Sequence, residues 1–174
     1  MAAAVIVVTD HGPAGFSARA VASQAQLPLG AVSYYFPVLD DLLGEALAAV
    51  LRGWLIQGES VASTGLDQGI GPAATAITAA VLPGGAPDTI RNRYEHILAA
   101  SRNPVAAAAM SDLRPRLELL IVRILATAEV QSALTPDALL ALVDGAAVGA
   151  ISEGATDPVA RVLATVREAL RPTG

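Results

Sequence analysis

Tyr34, Tyr35 and Phe36 stand together in LPLGAVSYYFPVLDDLL (27–43), and they are half of the six aromatic residues in a chain of 174. With Ser33, the two tyrosines set three hydroxyls side by side. A hydroxyl both donates and accepts, so this cluster suits phosphate oxygens and base edges. The small neighbours Gly30 and Ala31 would let a helix sit deep in a groove, where apolar groups meet thymine methyls. Nothing else in the chain offers stronger chemistry. There are two His and no Cys, and no HExxH, phosphate-binding glycine loop or strand–turn–helix serine motif is present. Glu95, His96 and Asp112 lack metal-ligand spacing. The sequence therefore predicts no catalytic residue, no metal and no cofactor, and a protein that is not an enzyme.

The elements that must hold this cluster are short helices. Ser17 is placed to N-cap the segment ARAVASQA. QLP then makes a turn, and Pro28 suits the first turn of the next helix. Two helices over 17–25 and 28–35, joined by a few residues, read as a helix-turn-helix. Val32 and Phe36, four apart, would anchor the second helix in the core. An ordinary helical hairpin with exposed tyrosines satisfies the same spacing. Beyond Phe36-Pro37, Leu39, Leu42, Leu43, Ala46, Leu47, Val50, Leu51, Trp54 and Leu55 recur at helical spacing, predicting a long helix to about Gln57 or beyond. The glycine- and serine-rich stretch 58–71 gives little pattern. A helix over PAATAITAAVL is expected to stop at Pro83-Gly84-Gly85. Asp88 and the pairs Asn103-Pro104, Thr135-Pro136 and Asp157-Pro158 then read as helix starts, and Pro115 as a kink site. About nine helices and no strand result, an all-α fold.

Composition bounds the rest. Hydrophobic residues make up 53% and aromatics 3% of the chain, so an ample core is built from Ala, Leu, Val and Ile, which favours helix. Net charge is −5, with every cation an Arg. An acidic chain is not what a bulk nucleic-acid binder shows, although a small reading head can hide in that total. MAAAVIVV has no basic flank and does not fit a secretory signal. No apolar run reaches about 18 residues, so no membrane span is expected, and the absence of Cys is compatible with the cytoplasm.

The segment GPAGFSARAVASQAQLPLGAVSYYFPVLDDLLGEAL resembles the DNA-binding head of the TetR family of transcriptional regulators, through Phe16-Ser17, Val21-Ala22, Ala25, Leu27, Gly30, Val32, Tyr34, Phe36, Pro37, Leu42 and Leu43. The resemblance covers about residues 5–50. Later segments such as YEHILAASRNPVAAAAMSDLRPRL and LLALVDGAAVGAISEG resemble that family's helical body more loosely. It implies a head over 1–46 and a ligand-binding and dimerising bundle over 47–174. It further implies a homodimeric, cytoplasmic repressor on palindromic double-stranded operator DNA, released by a small-molecule effector. By position, Ser17 and Arg19 would meet phosphates, Tyr34 and Tyr35 backbone or bases, and Leu29, Gly30, Ala31 and Ser33 base edges.

The chain departs from the family pattern in three places. Leu39-Asp40-Asp41 stands where a basic phosphate clamp is usual. Gln26 stands where the turn usually carries Gly. The basic arm and longer first helix are missing from the residues at hand. In residues 1–50, Arg19 against Asp10, Asp40, Asp41 and Glu45 leaves −3 with His neutral. Either an N-terminal extension supplies the missing cations, or the chain is a helical ligand-binding or interaction dimer with weak or lost DNA binding.

In the body, Trp54, Tyr94 and His96 are the notable candidate contacts for a mostly apolar ligand, with Met110 and Arg93 behind them. Trp54 and Tyr94 also fit plain core packing, and His96, beside Glu95, is expected on the surface. Leu139, Leu142, Val143, Ala146 and Ala150, with Val162 and Val166 of the last helix, are the candidate dimer interface. An intrachain hairpin would use the same residues.

Overall fold

The computed structural model describes residues 1–82 and 86–172. Among them are nine α-helices, one 3-10 turn and no strand. They are α1 (Ala2–His11), α2 (Ala18–Ala25), α3 (Leu29–Tyr35), α4 (Leu39–Ser63), α5 (Ile70–Val81), α6 (Pro87–Ala100), α7 (Pro104–Thr127), α8 (Pro136–Ser152) and α9 (Pro158–Ala169), with Pro13–Gly15 as the 3-10 turn. The expected helix stop at Pro83-Gly84-Gly85 lies outside the described residues.

The helix starts follow a shared chemistry. Asn103 Oδ1 accepts from the amides of Val105 and Ala106 at 3.1 and 3.2 Å, Thr135 Oγ1 from Ala138 at 3.2 Å, and Asp157 Oδ1 from Ala160 at 2.9 Å. In each case Pro follows the cap, where its missing N–H costs nothing. The ends of α2, α7 and α8 are alike too. Leu27 N–H bonds Ala22 O, Val130 N–H bonds Leu125 O, and Ala155 N–H bonds Ala150 O, each at 2.9 Å. The residue before each of these donors is left-handed: Gln26, Glu129 and Gly154. These are Schellman terminations.

One helix end and one proline, left loose by the pattern, are placed. The stretch 58–63 continues α4 as helix, and α4 runs to Ser63. α7 passes through Pro115 as one helix.

The chain divides into two compact units, Met1–Gly53 with Asn92–Leu113, and Trp54–Arg91 with Arg114–Gly174. The first is built on Val8, Val21, Val32, Leu42 and Leu47, and α2 packs against α1 and α3. The second is built on Ile77, Ile121, Ile124, Leu139, Val143 and Val162, where α8 and α9 pair and α5 packs on both.

Candidate nucleic-acid interface

Helices α2 and α3 are joined by three residues, Gln26, Leu27 and Pro28, and pack on each other, as a helix-turn-helix requires. Ser17 Oγ accepts from Ala20 N–H at 3.1 Å and starts α2. Gln26, at φ 55 and ψ 40, ends it. The backbone reversal there is the position that usually carries Gly, and a side chain in this region costs on the order of 1 kcal/mol. Pro28 precedes α3 as its cap residue.

On α3, Val32 is buried and Phe36 half-buried, which fixes the helix by the two residues expected to anchor it. At 100° per residue, Gly30 and Tyr34 lie opposite Val32, flanked by Ala31 and Ser33, with Leu29 and Tyr35 at the edges. Tyr34 and Tyr35 are 79% and 74% exposed and meet edge to face, ring centroids 5.2 Å apart. Leu29, Gly30 and Ser33 are exposed and Ala31 half-buried, while on α2 Arg19 is exposed and Ser17 half-buried. The candidate contact residues thus all lie in the first unit, on α2, on α3 and at the cap of α2.

The acidic pair after α3 has a structural role. Asp40 and Asp41 occupy the first turn of α4, where a negative charge meets the positive end of the helix dipole. Asn103 Nδ2 donates to both Asp40 O (2.8 Å) and Asp40 Oδ2 (3.0 Å). Asn103 therefore caps α7 and ties down the start of α4, and it is 4% exposed. A Cβ on Gly44 would collide with Asn103 Oδ1, so only glycine leaves room for this tie.

A second tie reaches α1. His96 is 3% exposed, contrary to the surface position expected from its neighbour Glu95. Its Nε2 lies 2.7 Å from Val8 O, and because a carbonyl only accepts, Nε2 carries the proton. Val8 O is among the last carbonyls of α1, which a helix cannot satisfy internally. Burial pushes the His96 pKa below its usual value, against the bond to Val8 and the charge of Glu95, which both raise it. The Val8 partner is 88 residues away in sequence, so nothing local signals it. For Asn103 the interrupting Gly44 in a Leu-rich helix is the only clue.

Trp54, Tyr94 and Met110 are each half-buried. Tyr94 and Met110 belong to the first unit and Trp54 to the second. Clefts of about 540 and 330 Å³ open in the first unit and one of about 530 Å³ in the second, and none of these three is lined by Trp54, Tyr94 or Met110. Leu139, Val143, Ala150, Val162 and Val166 are 0% exposed within the single chain. They form the intrachain packing of α8 and α9 and keep no surface for a partner. Leu142 and Ala146 remain half-buried, and α8 presents Gly145 and Val148 outward. No group of acids and histidines able to hold a metal occurs among the described residues. Among them, too, no helix is long and apolar enough to cross a membrane.

Comparison with known proteins gives a consistent set of relatives. Residues 68–172 match the model of the tetracyclin repressor-like C-terminal domain. No curated protein matches the sequence. Among solved structures, the multidrug binding protein EbrR complexed with imidazole is 27% identical with a TM-score of 0.65, over 99% of this chain and 93% of that one. EbrR has also been solved with ethidium and with proflavin. A TetR-family member from Streptomyces coelicolor A3 is 26% identical with a TM-score of 0.63, over 98% and 95%. A transcriptional regulator from Rhodococcus sp. Rha1, 23% identical, shares the fold with a TM-score of 0.73 over 97% and 90%.

Proposed function

The chain belongs to the TetR family of transcriptional regulators, and on that premise we propose that it is a cytoplasmic, ligand-responsive repressor. It acts as a homodimer on palindromic double-stranded operator DNA, with residues 1–46 as reading head and 47–174 as effector and dimer body. The observation that carries the reading is α3 itself, which keeps Val32 inside and turns Gly30, Ser33, Tyr34 and Tyr35 outward. Ser17 and Arg19 hold phosphates, Tyr34 and Tyr35 reach backbone or bases, and Leu29, Gly30, Ala31 and Ser33 lie nearest the base edges. The effector is small and mostly apolar; the structures of EbrR hold imidazole, ethidium and proflavin, which share small aromatic ring systems. Trp54, Tyr94 and Met110 are the first side chains to test for it. Binding and release, with no bond-making step, are all that this reading asks of the chain.

A second reading rests on charge. With Arg19 as the sole Lys or Arg of residues 1–50, the same fold serves as a ligand-binding or interaction dimer with weak or lost DNA binding. Fluorescence anisotropy on duplex from the gene's own upstream region, titrated with salt, separates the two. A repressor should bind at low salt, and the slope counts the phosphates its cations neutralise. The two Arg19 side chains of a dimer by themselves account for a log–log slope of about −2, close to one counterion per neutralised phosphate, and a steeper slope means further cations. No binding at low salt leaves the second reading.

A further inference from the structure

The chemistry exposed on α3 says which bases it can tell apart. This inference rests on the proposed DNA-binding role and goes beyond it. Distinguishing a guanine takes a donor pair aimed at O6 and N7, which Arg or Lys supplies, and distinguishing an adenine takes the donor and acceptor of Asn or Gln. The helix LGAVSYY has none of these. Its polar atoms are hydroxyls, and a hydroxyl that both donates and accepts satisfies any base edge about equally. What remains as a discriminating group is apolar surface. Leu29 is 47% exposed, and the small Gly30 and half-buried Ala31 let the helix approach closely. Only one base-pair feature in the major groove rewards an apolar contact, the C5 methyl of thymine. The nearest amide side chains, Gln24 and Gln26, are exposed at the end of α2 and in the turn. Should they reach bases, their preference is adenine, which points the same way. Arg19 sits in the first turn of α2, at the other end of that helix from the turn.

We propose that α3 reads its operator through thymine methyl groups, so that the base pairs beneath Leu29 and Ala31 are A·T and no position beneath α3 is guanine-specific. Specificity of this kind depends on close apolar fit and hardly on charge, consistent with a head that carries one Arg.

The test is selection from a random duplex library with the 174-residue chain at low salt, followed by replacing each thymine of the selected site with uracil. Uracil pairs as thymine does but lacks the methyl. Selected half-sites should carry adjacent A·T pairs. Uracil at the contacted positions should weaken binding about fourfold each, the factor that burying one methyl from water carries. Leu29→Ala should make one of those replacements silent while the others keep their effect. Selected sites built on invariant G·C pairs would overturn the inference and leave the DNA-binding role standing. A·T-rich sites indifferent to uracil would also overturn it, because they would mean that groove shape and not the methyl is read. A library from which nothing is enriched would sink the DNA-binding role itself.

Discussion

At the scale of single residues, Gln26 and His96 show opposite degrees of legibility. The helix-turn-helix turn is visible in sequence, and Gln26 lies at the left-handed position that the turn chemistry demands. Glycine there relieves a strain of about 1–2 kcal/mol and returns part of it as unfolded-chain entropy. Gln26→Gly should therefore stabilise the protein by about 0.5–1 kcal/mol, read from the shift of the urea midpoint at constant slope. A loss of stability would mean that the Gln side chain makes a contact worth more than the strain. His96 was hidden, because its carbonyl partner on α1 is fixed by packing and not by neighbours in sequence. Its lowered pKa gives a signed prediction. The unfolded chain takes up the proton more readily, with the ordinary value near 6.5. The stability contributed by a neutral His96 is thus complete above about pH 6.5 and is lost as pH falls through the lowered folded value. His96→Gln keeps a donor for Val8 O and does not titrate. Denaturation at pH 7.5 and 5.5 should show a smaller drop for the variant than for the parent; equal drops would remove His96 from the linkage.

At the scale of elements, starts and stops were written in local chemistry and lengths were not. Asn103, Thr135 and Asp157 each cap a helix that Pro opens, and those signals need no tertiary knowledge. α4 is the counterexample. Its apolar spacing carries it to about Gln57 or beyond without fixing where it stops, and the helix runs to Ser63. The reason for glycine at 58 is contact. A Cβ there would stand 2.9 Å from Ala80 O and 3.1 Å from the Leu120 side chain. A Cβ at Gly53 meets nothing within 4 Å. The two positions therefore make a matched pair on one helix. Gly53→Ala should stabilise by up to about 1 kcal/mol, the helix-propensity difference. Gly58→Ala gains the same propensity but forces α4 against a backbone carbonyl of α5, and overpacking costs about 1–3 kcal/mol. Its net effect should be zero to about 2 kcal/mol destabilising. Thermal unfolding of both variants decides the matter, and a Gly58→Ala protein as stable as Gly53→Ala would deny the close approach.

At the scale of the whole molecule, the all-α fold was legible because Ala and Leu at helical spacing leave few alternatives, while the surface for a second copy was not. Sequence periodicity marks which residues are apolar, but it does not say which apolar face the chain keeps for itself. On α8 and α9 the more apolar face, with Val143, Ala150, Val162 and Val166, is spent on packing within the chain. For the proposed homodimer we place the contact on what α8 turns outward: Gly145 and Val148, with the half-buried Leu142, Ala146 and Gly149 beside them. Small residues there permit close helix approach across a two-fold axis. Val148 is 48% exposed, so Val148→Glu should leave the stability of the protomer within about 0.5 kcal/mol. In a dimer built on this face the same charge would be buried opposite its own copy, without a partner. Sedimentation velocity should show the parent as a dimer at micromolar concentration and Val148→Glu shifted at least tenfold toward monomer, with helical content unchanged. Val143→Glu, by contrast, should fail to fold, because its site is interior to the protomer. A parent that sediments as a monomer would remove the dimer, and a Val148→Glu protein that stays dimeric would move the interface to another face.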